Sequence, residues 1–166
     1  LSSMSVTLTT NNSNVTVAGN FIVGTGSVYT PGNNTTRFNG TAGQLFQIDG
    51  TVGGGLRNLE IINTSNTTIT ASTAINGNLT IDSKCFLNDQ GSTLSVAGNI
   101  TNSGTHSSQA GGSITLSGTG AQSISGDGNG IFGNLNINNA AGPVFFTANQ
   151  KITGNLRLVN GLLNIG

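Results

Sequence analysis

Very little of this chain is charged. Asp, Glu, Lys and Arg make up 6% of its 166 residues, five acidic against five basic, for a net charge of zero. No basic stripe is present to neutralise phosphates, so nucleic acid is not expected as a partner. The chain has no long apolar run and no Lys/Arg-rich amphipathic face, so membrane insertion is not expected either. Tryptophan is absent and aromatic residues are only 5%. The lone cysteine, Cys85, has no partner for an internal disulfide. Within Cys85-Phe86-Leu87 it reads as a small buried apolar residue rather than a nucleophile. No signal peptide is visible, which fits a chain beginning after a processed leader or a piece of something longer.

Gly, Asn, Thr and Ser are abundant instead. So polar a chain can be disordered, but regular Val/Ile/Leu alternation and a mean hydropathy near zero leave enough apolar material for a narrow core. Solubility must then come from hydroxyls and amides, which suits an extracellular or cell-surface location.

The alternation comes in repeated blocks. Val17-Ala18-Gly19-Asn20 returns as Val96-Ala97-Gly98-Asn99, 79 positions later. Phe38-Asn39-Gly40-Thr41-Ala42-Gly43-Gln44 returns as Leu116-Ser117-Gly118-Thr119-Gly120-Ala121-Gln122, 78 positions later. Asn58-Leu59-Glu60-Ile61 returns as Asn134-Leu135-Asn136-Ile137 after 76, and Ile75 to Ile81 as Ile152 to Leu158 after 77. Matching blocks in one order define a single β-repeat domain over 1–166. It holds two similar units, about 4–82 and 83–160, plus the start of a third.

Each block joins a Gly-Asn or Asn corner to a short run whose apolar residues sit two apart, the pattern of a half-buried strand. Gly, Asn, Asp and Ser clusters separate the runs, as turns require. No helix-period segment of useful length appears. The fold class is therefore all-β. A parallel β-solenoid (a right-handed β-helix) is expected, with an antiparallel β-sandwich as the alternative. If coils take about 20–25 residues, the rod has roughly seven coils and a length of about 35 Å. Asn and Thr at equivalent corners would then stack in hydrogen-bonded ladders. Equivalent positions of the two units, Leu79 and Leu156 among them, are expected one above another along a common axis.

Gly77-Asn78-Leu79-Thr80-Ile81, Leu94 to Ile100 and Gly118 to Gly126 resemble the β-strand repeats of secreted bacterial surface proteins and adhesins of the Bacteroidetes type. The resemblance lies in composition and phase, covers most of the chain and includes no catalytic motif. It implies secretion, a β-helix-like rod and an adhesive or structural role, and it assigns no functional residue.

The ends look alike: Val6-Thr7-Leu8 and Leu162-Leu163-Asn164 take the same phase of the unit. Bare strand edges invite pairing. The chain is therefore expected to meet itself through Val6, Leu8, Leu162 and Leu163, by end-to-end stacking or by lending the Ser5–Thr9 strand, or else to continue into neighbouring repeats. Head-to-tail contacts that do not close give filaments.

No catalytic, cofactor-binding or metal site is expected, and no enzyme activity. Asp82 and Lys84 read as a surface ion pair on one strand face; Asp49 and Asp127 read as turn residues. His106 has no second His or Cys near it, as a metal site would need, and reads as a solvated loop residue. The acceptor sequence Asn-X-Ser/Thr occurs at Asn11, Asn14, Asn33, Asn34, Asn39, Asn63, Asn66, Asn78 and Asn99. Two binding alternatives stand beside the structural role. Surface glycans would stack on Tyr29, Phe38 or Phe46 if those rings were exposed together. Ice would need arrays of Thr7-Leu8-Thr9 and Thr68-Ile69-Thr70 hydroxyls, although Thr also simply favours strands.

Overall fold

The structure is a computed structural model that describes residues 6–166. Ser5 of the expected Ser5–Thr9 strand, and the first residues of the leading unit, lie outside the described residues.

Short runs of alternating apolar residues, each stopped by Gly, Asn or Asp, give short strands that turn three times per coil. The first coil holds β1 (Thr7–Thr9), β2 (Val15–Val17) and β3 (Phe21–Val23). The second holds β4 (Val28–Thr30), β5 (Thr35–Phe38) and β6 (Gln44–Ile48). The third holds β7 (Thr51–Val52), β8 (Asn58–Ile61) and β9 (Thr67–Ile69). The fourth holds β10 (Thr73–Ile75), β11 (Leu79–Ile81) and β12 (Phe86–Asn88). The fifth holds β13 (Thr93–Val96), β14 (Ile100–Asn102) and β15 (Thr105–Ser107). The sixth holds β16 (Ser113–Leu116), β17 (Gln122–Ser125) and β18 (Gly130–Phe132). The seventh holds β19 (Leu135–Asn138), β20 (Val144–Phe146) and β21 (Gln150–Ile152). Finally β22 (Leu156–Asn160) and β23 (Leu163–Asn164) begin an eighth.

Every strand pairs in parallel with its counterpart one coil away, for example Leu79 with Leu59 below and Ile100 above. The molecule is thus a parallel β-solenoid with three faces. The second face stacks β2, β5, β8, β11, β14, β17, β20 and β23; the third stacks β3 through β21. The first face is broken once, between β7 and β10. There the Gly53-Gly54-Gly55 run cuts β7 short, and a single bridge from Leu56 to Ile75 carries the stack across. A coil takes as few as 19 residues (Val144 to Leu163) and as many as 26 (Thr105 to Ile131), because insertions fall at corners.

Inward residues form one continuous column of apolar side chains. Leu59, Ile61, Leu79, Ile81, Ile100 and Ile124 from the second face are wholly or almost wholly buried. Leu87 and Phe132 close the column from the third face, and Leu94, Val96, Ile114 and Leu116 from the first. Near the first coils the column widens to take rings. Phe21 stacks on Phe46 at 5.2 Å and meets Tyr29 edge-on at 4.9 Å. Tyr29, Phe38 and Phe46 are buried, so none is a surface platform for a sugar.

The matched blocks do not lie above one another. Leu79 is on β11 of the second face, and Leu156 is on β22 of the first. Val17 ends β2 on the second face, whereas its twin Val96 ends β13 on the first. Each pair of twins is eleven strands apart, and with three strands per coil eleven strands leave the second twin one face out of step. The reason is local. What repeats is a strand plus a corner of about seven residues, and each twin block sits on a different edge of the prism from its partner. One corner sequence therefore serves more than one edge. The shared phase of the two ends has the same correction: β1 is on the first face and β23 on the second.

Candidate functional site

The corners hold the polar chemistry of the interior. Gln44 is buried and points down to the coil beneath, where its Nε2 donates to the carbonyls of Val17 (2.8 Å) and Gly19 (2.6 Å). Its Oε1 accepts from the Gly40 N–H at 2.7 Å and from Asn63 Nδ2 at 2.9 Å. Gln122 repeats this arrangement. Its Nε2 donates to the Val96 and Gly98 carbonyls, and its Oε1 accepts from the Gly118 N–H at 2.8 Å and from Asn139 Nδ2 at 3.0 Å. Each amide meets a corner N–H (Gly40, Gly118) and carbonyl (Gly19, Gly98) and adds a second bond to the Val17 or Val96 carbonyl, which also accepts from Asn39 or Ser117; a buried corner group left without a partner costs about 1–3 kcal/mol. Gly is needed at positions 40 and 118: a Cβ there would fall 2.7 Å from the glutamine Cδ and as close to a backbone carbonyl. The matched block Phe38–Gln44 and Leu116–Gln122 is thus a glutamine plug, used once on the third face and once on the second.

A second corner carries the expected ladder. Asn58 Oδ1 accepts from the Asn78 N–H, Asn78 Oδ1 from the Asn99 N–H, and Asn99 Oδ1 from the Ser123 N–H, at 2.8–2.9 Å. Asn14 does the same for Thr35 at 2.9 Å. Of the glycosylation-type asparagines, Asn14, Asn78 and Asn99 are therefore ladder residues, while Asn34 and Asn63 are buried.

The structure corrects the solvated reading of His106. His106 lies on β15 and points inward, above Leu87 and 6.3 Å from the Phe132 ring. Its Nε2 is 3.1 Å from Asp89 Oδ2, with both side chains fully buried. The Asp89 Oδ1 accepts from the Gly91 N–H (3.0 Å) and the Gln109 N–H (3.2 Å). Burial alone would push this carboxyl up. The hydrogen bonds from His106, Ser108 and Gly91, together with His106 charge, outweigh it and hold the carboxyl below the usual carboxylate range. The remaining ring nitrogen, Nδ1, has no partner. The flanking Thr105 and Ser107 face outward, so the alternation was present, but Gly104-Thr105-His106-Ser107-Ser108 reads as a loop.

The expected Asp82–Lys84 pair is also corrected. These residues form the turn between β11 and β12, closed by the Cys85 N–H on the Asp82 carbonyl at 3.0 Å. Lys84 takes a φ of +64°, and among the described residues it makes no ion pair with Asp82. The surface ion pair among the described residues is instead Arg37 with Glu60 across β5 and β8. Asp127 caps its own turn through the Asn129 N–H at 2.9 Å. Cys85 is buried, and burial, with Asp82 nearby, pushes its thiol up. Among the described residues no three His, Cys, Asp or Glu side chains converge.

Outward rows are polar and short. The second face carries Thr80, Thr101 and Ser125 in register, next to Glu60 of the Arg37–Glu60 pair. Thr68 faces out on β9, but its register partners on either side, Leu45 and Asn88, are not threonines. No multi-coil threonine array forms on that face.

The two ends are apolar. At the first coil Leu8 is exposed, and a cleft of about 330 Å³ is lined by Val6, Leu8, Phe21, Val23 and Tyr29 among others. At the last coil Leu156, Leu158, Leu162 and Ile165 are exposed and Leu163 half-buried. Leu156 and Leu158 stack directly on the buried Leu135 and Ile137. They point down the same column and are wet only because nothing covers them. Another cleft of about 510 Å³ lies here between Phe146, Gln150 and Ile165. These end surfaces, rather than any clustered acid or base, are the candidate functional site. No family model, no curated protein and no solved structure matches this chain.

Proposed function

We propose that this protein is an extracellular structural or adhesive rod, a subunit that stacks head to tail into a surface filament. The observation that carries the reading is the pair of ends. At each, unpaired strand edges surround an uncovered apolar column, with Leu8 45% exposed at one end and Leu158 62% exposed at the other. Stacking would satisfy those edges and bury those side chains together. The resemblance to secreted bacterial surface repeats and the scarcity of charge support an extracellular place. The sides, covered by hydroxyls and amides, are where adhesion to another surface would occur. With Tyr29, Phe38 and Phe46 inside, a sugar-stacking role finds no support from those rings.

The test is association. Light scattering of the purified chain at rising concentration is expected to show growing mass, and Leu158→Lys and Leu8→Lys, placing charge in the joint, are expected to stop the growth. Constant monomer mass at all concentrations would count against the filament. Protease shaving of intact source cells is expected to release the protein; protection from the protease would count against the extracellular place.

A further inference from the structure

We infer that the third face carries a binding row for a neutral, β-1,4-linked polysaccharide, built on Phe86 and Ile131. The inference rests on the adhesive reading above, names its ligand class and is independent of the filament. Alternation along Cys85-Phe86-Leu87 turns Phe86 outward between two buried neighbours. Phe86 is 41% exposed, and every other exposed large apolar side chain among the described residues belongs to the first coil or the last two. Its exposure therefore does not come from an uncovered end. Among the described residues no other ring packs on it.

Register sets its neighbours. Phe86 pairs with Thr105 on the next coil, Thr105 with Ile131, and Ile131 with Lys151. One outward row thus reads ring, hydroxyl, aliphatic, ammonium from the fourth coil to the seventh. Ile131 opens into a shallow hollow of about 310 Å³ that Asn129, Asn149 and Lys151 help to line. About 6.6 Å to one side along the strands, Thr68, Asn88 and Ser107 form a parallel polar row. Asn88 Oδ1 accepts from the Gln90 N–H, but among the described residues Asn88 Nδ2, Thr105 Oγ1 and Ser107 Oγ have no partner. The second face differs. Its outward amides at Asn58, Asn78 and Asn99 are engaged in the ladder, and the Thr101 hydroxyl meets Ser125.

A sugar ring suits such a row because its C–H faces are apolar and its rim is hydroxyl. The C–H face lies on the Phe86 ring, whose π face is negative, and the rim meets the unpaired amide and hydroxyls. Phe86 and Ile131 stand two coils apart, about 9.6 Å. An extended β-1,4-linked chain returns to the same ring orientation at every second sugar, a repeat close to that height. Alternate rings then sit on Phe86 and Ile131, with Thr105 beside the ring between them. A coiled α-linked glucan has no such straight repeat. No charged side chain stands between Phe86 and Ile131 in the row, and the corners beside it carry Asp82 and Asp127 as well as Lys84, so a neutral chain fits better than an acidic one.

Depletion isotherms on microcrystalline cellulose, chitin and β-1,4-mannan, with granular starch as the α-linked control, test the site. The chain is expected to bind at least one of the β-1,4-linked polymers and not starch. Phe86→Ala is expected to keep the wild-type Tm, since the ring lies outside the core, and to weaken binding about tenfold. Phe86→Trp is expected to retain binding, and Phe145→Ala, which removes an exposed ring on the second face, to leave it unchanged. Undiminished binding by Phe86→Ala, or equal binding to starch, would overturn the site. A chain that adheres to intact source cells but to none of these polymers would overturn the glycan row and leave the adhesive reading standing. Adherence to neither would count against both.

Discussion

His106 Nε2 lies 3.1 Å from Asp89 Oδ2 inside the solenoid, with neither side chain exposed. Two coils are tied by this contact, because Asp89 follows β12 and His106 sits on β15. Removing one partner of such a pair leaves a buried group unpaired, so Asp89→Ala is expected to cost about 3–5 kcal/mol. Urea unfolding followed by circular dichroism measures the loss.

The same pair sets an acid limit. Asp89 is held below the usual range in the fold and returns to it, near pH 4, on unfolding. A group with a depressed folded value stabilises the fold above the unfolded value and loses that contribution as pH falls through the folded one. Thermal unfolding is therefore expected to show Tm falling as pH drops below about 4. The fall should be shallower in Asp89→Asn, which keeps an acceptor but cannot titrate.

Gly112 shows how tightly that corner is built. A Cβ at 112 would lie 2.1 Å from Asp89 Oδ1, and the carboxylate cannot swing away without breaking its bonds to His106, Gly91 and Gln109. Gly112→Ala is expected to lower stability by about 1–3 kcal/mol. Gly43→Ala, with open space around it, is expected to change stability by less than about 0.5 kcal/mol. Equal Tm shifts for the two variants would contradict the packing described for Asp89.

The glutamine plugs give a paired test. Gln122→Leu fills the site but takes the glutamine partner from the Gly118 N–H and the Gly98 carbonyl, and one of the two bonds from the Val96 carbonyl and from Asn139 Nδ2, and should cost about 2–4 kcal/mol. Gln44→Leu should cost a similar amount. The two sites are on the second and sixth coils, so the double variant is expected to lose the sum of the two. Denaturant titration of both singles and the double checks this.

The sequence carried the architecture because a solenoid writes its core as alternation. Leu59 and Ile61, Leu79 and Ile81, and Leu94 and Val96 are all inward pairs that could be read two apart along the chain. The asparagine ladder was readable too, since Asn58, Asn78 and Asn99 recur once per coil at a corner. The placement of the repeat was not. Twins such as Leu79 and Leu156 look stacked in sequence, but only the number of strands per coil says which face each takes, and seven-residue corners fit more than one edge. His106 and Asp89 escaped notice because a buried polar pair has no periodic signature, and Asn88-Asp89-Gln90-Gly91 has the composition of an ordinary turn. At the ends Val6, Leu8 and Leu162 are exposed and Leu163 half-buried, and Leu156 and Leu158, which sequence phase did not single out, are exposed beside them.

Electron microscopy of the purified chain across a concentration series bears most directly on the assembly of these coils. The expected result is thin filaments one solenoid wide, with strands crossing the axis at a spacing of about 4.8 Å. Discrete particles about 35 Å long, the length of eight stacked coils, persisting at the highest concentration would contradict it.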